Sequence, residues 1–459
     1  MSRGWKKPLL LGCFGIPLLT CGIGGGILCN SLSRTASKLP EEVAKLKALG
    51  VPTEVADLAP NPAVSETGNA ASLYRTIGLQ LEAIEGDRSK KDLVKLLDTF
   101  GASETPQPDL GKVLLAIQTH QSLFSDVDKL ATKPLVDFKR DYAKGASLLF
   151  PEFADMKRIA KWQCSRARAQ WMSGNRTDAM KSLRAALRVG EHSSQEPYLI
   201  GQLVNMAITA ICHRTLENLI TDARNDSSML RQMEAMLNGL KDRSDIRKAF
   251  GGEVVMGRAT IKGLKGSGSF KAMGEMMGDP NLREAGWLDA LLSAPHMQGV
   301  FEFRYVEAWR LTFEAIPRDL EDWNGFSQAV EKRMIDIDNN KSLDNLLNRI
   351  FIPILAQSVD ASAKQTAERR LELLSLKLLQ TRSQSLPANL ASFGKLAIDP
   401  FTGKQMGYQR NGKAFKIWSI GPDRVDQGGV GRAPNGQGNK GIDIVMGFDM
   451  PIQKAQPTR

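Results

Sequence analysis

The chain is poor in the residues from which active sites are commonly built. Its 459 residues include four histidines, His120, His192, His213 and His296, and no two of them share the i, i+4 spacing of a zinc motif. Of five cysteines, Cys13, Cys21 and Cys29 fall in one apolar run near the start. Cys164 and Cys212 remain, each among apolar helix-forming residues. A disulfide in an oxidising compartment and two buried free thiols are the two readings, and the second is preferred. No nucleophile-elbow pattern accompanies His192-Ser193-Ser194, so His192 reads as a helix C-terminal cap rather than a triad member. The Gly-Ser-Gly-Ser at 266–269 lacks the Lys-Ser/Thr of a phosphate loop and follows no strand, which excludes a P-loop there. Lys and Arg total 61 against 50 Asp and Glu, a formal charge of +11, yet they form no basic stripe interleaved with aromatics. Nucleic acid is therefore not an expected partner. The charges are mixed by sign, as in KRDYAK (139–144) and ERRLELLSLK (368–377), and read as solvated helix faces with some attraction to anionic lipid or envelope polymer.

Charge is also missing from Pro8 to Cys29, 22 residues directly after Arg3, Lys6 and Lys7. A helix of that length reaches about 33 Å, enough for a hydrocarbon core of about 30 Å. The flanking cations would keep the short N-terminus cytoplasmic and export the remainder. The run is longer than an ordinary signal core, and Leu28-Cys29-Asn30 is a poor cleavage context, although Ser31-Leu32-Ser33 keeps cleavage as the lesser alternative. Too few apolar residues precede Cys13 for a lipoprotein signal. The expectation is an uncleaved single-pass anchor in the cell membrane, spanning 1–33 with its cytoplasmic tip.

Beyond it, 459 residues exceed what one compact core usually takes, so two or three units are expected. EEVAKLKALG predicts a helix stopped by Gly50, and VPTEVADLAPNPAVSETG predicts an extended connector. Ala70, Leu73, Tyr74, Ile77, Leu81 and Ile84 then form one helical stripe. Helix-length segments with short breaks continue to about residue 250, so a domain at 34–357 should be almost all α. Within it, 251–280 is rich in Gly and Met and reads as a mobile insert between helices. The sequence after Arg382 changes character: Asp399-Pro400 and Thr402-Gly403 are turn chemistry, and GYQRNGKAFKIWSI predicts two strands about a type I′ turn at Asn411-Gly412. A helix over roughly 358–382 would pack its Leu371, Leu374, Leu378 stripe on that hairpin. The fold class is thus mainly α: an N-terminal transmembrane helix, an irregular repeat-like helical body, and a small α+β tail at 358–459.

Three resemblances follow from particular residues. Ala167, Gly174, Ala179, Leu183 and Ala186 fall at spacings that resemble a tetratricopeptide hairpin, although no second copy at the family's period is evident. NAASLYRTI, SQEPYLIGQLVNMAITA and DPFTGK together resemble uncharacterised membrane-anchored envelope protein families of planctomycetes and related bacteria. A helix, then DPxxGxxxxY, a short strand, SxGPDxxDxGG and a final DI resembles the soluble end of type II secretion major pseudopilins. That last resemblance implies a calcium loop whose ligands would be Asp423 and Asp443, with Asp426 an additional oxygen donor. Arg432 and Lys440 in the intervening stretch oppose a cation, and Asp in such a loop is also an ordinary turn former, the preferred reading. The anchor lacks the pseudopilin Glu and stands far from the tail, so pseudopilin-like processing or polymerisation is not expected.

Glu152 with Asp155, and Glu314 with Asp319, are the candidate carboxylate pairs, although solvated helix faces produce such pairs routinely. The functional expectation is a membrane-tethered extracytoplasmic interaction or scaffold protein that binds another envelope protein. The alternative is an envelope hydrolase whose site assembles between helices. A pocket gathering carboxylates or a histidine would favour the enzyme, and an apolar groove would favour binding.

Overall fold

The computed structural model describes residues 30–454 apart from 61, 103–109, 241–245, 265–295, 319–321, 343–344, 346–347, 350–351, 353, 383–384 and 432–441. The Pro8–Cys29 run, Asp319, Arg432 and Lys440 lie outside the described residues. So does most of the glycine- and methionine-rich stretch. Among the described residues, no helix is long and apolar enough to cross a membrane.

The first of the longer helices, α1 (Leu39–Ala48), ends before Gly50, whose φ of +77° closes it in the left-handed region. The proline-bearing connector is irregular apart from short 3-10 turns, the first at Val55–Leu58. There the Asp57 carboxylate accepts the Thr53 and Glu54 amides at 2.9 and 3.0 Å. The helix α2 (Ala71–Gly86) buries Tyr74, Ile77, Leu81 and Ile84, the stripe that its periodicity dictates. Next come α3 (Lys91–Thr99), α4 (Leu110–Thr119) and α5 (Gln121–Ala131).

The expected hairpin is α6 (Glu152–Met172) with α7 (Arg176–Ser193), turning at Gly174 with φ +83°. Ala167, Ala179, Leu183 and Ala186 are all fully buried, because small side chains let the paired helices cross closely. The helix α8 (Leu199–Asp222) packs on both, and α9 (Ser227–Asn238) follows with the Asp226 carboxylate capping the Ser228 and Met229 amides.

The first part of the presumed insert is instead the helix α10 (Ile246–Gly263). Its glycines are points of close approach: a Cβ at Gly251 would meet Pro52 Cδ at 2.7 Å, and one at Gly257 would meet the Tyr305 hydroxyl at 2.1 Å. Then come α11 (Met297–Ala315) and α12 (Trp323–Asn339). In α12, Asp322 provides the cap and Trp323, Phe326, Val330 and Ile337 are buried along the helix.

The long helix α13 (Ile354–Thr381) packs on α8, α9 and α12 on one side and on the C-terminal sheet on the other. A boundary at 357/358 therefore falls inside a helix that body and tail share, and one apolar core runs from Leu46 to Phe448. The tail holds β1 (Gly407–Asn411), β2 (Ala414–Ser419), β3 (Val430–Gly431), β4 (Ile444–Phe448) and β5 (Gln453–Lys454). Strands β1, β2 and β4 form an antiparallel sheet in the order β1-β2-β4, while β3 pairs with β5. The hairpin turn lies one residue later than expected. Asn411 pairs with Ala414, and Gly412 is the first central residue at φ +58°. Lys413 does not have positive φ, so the turn has the pattern of type II′ rather than type I′.

Candidate functional site: two cavities beside an amide-clamped segment

The segment 133–138 belongs to no strand; a single bridge joins Leu135 to Asn69, with the Ala70 amide donating to the Leu135 carbonyl at 2.9 Å, and side chains supply further hydrogen bonds. Asn69 donates to the Asp137 carbonyl and accepts from its amide, both at 2.9 Å. Gln195 accepts the Val136 amide at 2.8 Å and donates to the Pro134 carbonyl at 3.0 Å. His192 bridges Tyr74 and the Lys133 carbonyl, at 3.0 and 2.9 Å. Burial, with a smaller contribution from Arg188, lowers this imidazole to about 4. The ring is neutral, its Nε2–H donates to the carbonyl, and its Nδ1 accepts the tyrosine hydroxyl. His192 is therefore a fully buried bridge and not the expected helix cap.

This clamped segment forms one wall of a cleft of about 740 Å³. The opposite wall is the proline-bearing connector, including Pro52, Leu58, Pro60, Pro62 and Val64. Between them lies Glu196, which accepts from Arg140 at 2.9 Å while Arg140 also reaches Glu152 at 2.8 Å. The guanidinium is sandwiched between the Phe138 and Phe150 rings, 4.7 Å from each centroid. Burial raises the Glu196 carboxyl while Arg140 opposes the shift. Both ring nitrogens of His192 are occupied, whereas only one oxygen of Glu196 is tied to the cation and its Oε1 has no hydrogen-bond partner among the described residues.

A second cavity of about 560 Å³ lies on the other side of Pro134, Leu135 and Gln195. Its deepest lining residue is His213, 3% exposed, whose Nδ1 meets Glu372 Oε2 at 2.6 Å. Burial disfavours the imidazolium, but the combined attraction of Glu372, Glu368 and Glu217 outweighs it and raises the ring to about 9. His213 is thus a cation at neutral pH and cannot act as a base there.

The other sequence candidates are dispersed. His120 stacks on Trp162 at 5.7 Å, and His296 precedes α11 at φ +69°. Glu152 is held by Arg140, while burial raises its presumed partner Asp155. Glu314 pairs with Arg310 at 2.7 Å. Cys164 and Cys212 are unlinked and buried, with their sulfurs 3.8 Å apart.

The carboxylates of the tail loop organise backbone. Asp426 Oδ1 accepts from Trp418 Nε1 at 2.9 Å and the Gly428 amide at 2.8 Å, and Asp423 accepts the Val425 amide. Asp443, 2% exposed, takes the Gly429 amide at 2.7 Å. Among the described residues no group of three His, Cys, Asp or Glu side chains is placed to hold a metal ion, although Asp426 is near enough to raise Asp443 and Gln427 contacts both Asp423 and Asp443. Asp443→Ala should therefore destabilise the fold by about 1–3 kcal/mol through the stranded Gly429 amide. Calorimetry should find that loss equal with and without millimolar Ca²⁺, and a Ca²⁺-dependent rise in melting temperature confined to the wild type would contradict it.

Sequence reasoning missed the residues that matter most here. His213 and Glu372 are too far apart in sequence for any local pattern to join them. The available signal was a charge inside an apolar helical run. ERRLELLSLK was read as a solvated face, but Arg369 is buried on the Leu237 and Leu240 carbonyls, Arg370 on that of Ile398, and Glu372 on His213. No protein-family model matches the chain, and neither curated proteins nor solved structures offer a match.

Proposed function

We propose that the chain is a membrane-tethered, extracytoplasmic binding protein of the cell envelope that holds an extended, apolar segment of another envelope protein in the larger cleft. The observation that carries this reading is the cleft itself: two irregular walls, one proline-rich, over a floor where His192 is doubly hydrogen-bonded and Glu196 is held by Arg140. Such a surface recognises shape and apolar side chains. The Pro8–Cys29 run supports the tether, and the pseudopilin-like pattern of the tail supports a secretion-associated partner. The hydrolase alternative needs a base in one of the cavities; His192 is neutral but has both ring nitrogens engaged, Glu196 is held by Arg140, and His213 is protonated.

A photo-crosslinking residue placed at Ala63 of the full chain, in native envelope membranes, should yield one discrete protein adduct. Val64→Lys, which sets a charge on the same wall, should abolish that adduct. No adduct, or one indifferent to Val64→Lys, would reject the cleft as the binding surface. A reporter fused after Arg459 should be active only in its exported form, and the chain should resist carbonate extraction.

A further inference from the structure

We propose that the second cavity is a binding site for a small oxyanion bearing a hydroxyl, a phosphate or a hydroxy acid, with His213 Nε2–H as its buried donor and Arg184 and Arg188 as its cationic wall. Three observations converge on this site. First, among the described residues its lining carries Arg184, Arg188, Lys248 and Arg369 against a single carboxylate, Glu191. Glu191 serves both wall arginines, at 3.0 Å from Arg184 and 2.6 Å from Arg188. Positive charge in a concave, partly desolvated site favours an anion far more than the same charge spread over open surface.

Second, buried polar atoms on this lining lack partners among the described residues. They are His213 Nε2, Arg188 Nε and Gln365 Oε1. Two are donors and suit the oxygens of an anion, while the third is an acceptor and suits a ligand hydroxyl. An unpaired buried donor is costly, and a ligand oxygen would relieve it.

Third, Glu372 fixes which edge of the ring is left. It occupies Nδ1, and the attraction of the three carboxylates behind the ring keeps Nε2 protonated at neutral pH. The protein thus holds a charged N–H donor ready, and an oxyanion would gain a charge-assisted hydrogen bond without reorganising the site.

The test is isothermal titration of the detergent-solubilised full chain with inorganic phosphate and, separately, with malate, against sodium chloride of matched ionic strength. Saturable binding of either probe is expected, and the probe that binds more tightly identifies the acid. Arg184→Ala and Arg188→Ala, both on partly exposed side chains, should each weaken binding about tenfold or more. Lys341→Ala, outside the cavity, should leave it unchanged. Failure of both probes to bind at millimolar concentration would overturn the proposal, as would binding that ignores both arginine variants. The photo-crosslinking outcome at Ala63 is independent of either result.

Discussion

Glu372→Ala should be among the most destabilising single substitutions in the helical body, at about 3–5 kcal/mol. The carboxylate is 1% exposed and faces an imidazole that is 3% exposed, so its removal strands a buried ring without its ionic partner. The pH dependence separates this ion pair from simple packing. His213 is raised to about 9 in the folded protein, above its ordinary 6.5. The folded state therefore holds the proton more tightly, and the stability that the pair contributes is full below pH 6.5 and lost as pH rises through 9. The integrated loss is about 3 kcal/mol.

The groups packed around the pair define where that loss is cleanly read. Glu217, on the same helix, is raised to about 7 by burial and by repulsion from Glu372 and Glu368. Elsewhere, Glu253 is raised to about 7 by burial, with the Leu199 amide opposing. Both prefer their protons in the folded state, so both reduce stability as pH rises from 4.5 to 7. His192 acts oppositely, losing stability as pH falls from 6.5 through 4. Of these four groups, only His213 has its midpoint above pH 7, and Glu253, which Glu372 does not shift, contributes equally to wild type and variant. Urea unfolding should show a declining stability between pH 7 and 9 in the wild type and a flattened profile in Glu372→Gln. Parallel profiles would mean that the pair carries no charge.

The parts of the fold that periodicity governs were legible. The stripe of α2, the Gly174 hairpin, the strands flanking Gly412 and the long helix α13 all follow from local spacing. What failed was any inference about where a helix's second face goes. Arg258 shows the reason. It donates to Glu302 at 2.8 Å, to Glu54 at 2.8 Å and to the Thr53 carbonyl, tying the cleft-wall connector to α10 and α11. A charge and a buried charge look alike in sequence, because burial is decided by partners tens to hundreds of residues away. The same holds for Asn69 and Gln195, ordinary polar residues until an irregular segment held by a single backbone bridge needs their amides.

The glycines of α10 carry the same lesson and the second large effect. A glycine-rich stretch reads locally as mobile, because glycine weakens a helix by about 1 kcal/mol relative to alanine. The structure gives these glycines another purpose. A Cβ at Gly252 would stand 1.9 Å from the Pro197 carbonyl oxygen and 2.7 Å from its carbon, a backbone obstacle that no rotamer change relieves. Gly252→Ala must displace α10 from the Pro197 backbone, and should cost about 3 kcal/mol or more despite alanine's better helix propensity. Gly263→Ala is the matched control. Its Cβ would meet nothing within 4 Å, so the same chemical change at the end of the same helix should be neutral or stabilise by up to about 1 kcal/mol. Opposite signs at the two positions, read from urea midpoints, would establish close packing. Two stabilising substitutions would instead restore the mobile reading. Pro52, against Gly251, and Pro197, against Gly252, both line the larger cleft. A Gly252→Ala chain that still folds should therefore also lose the Ala63 crosslink, because the displaced helix no longer holds the two cleft prolines in register.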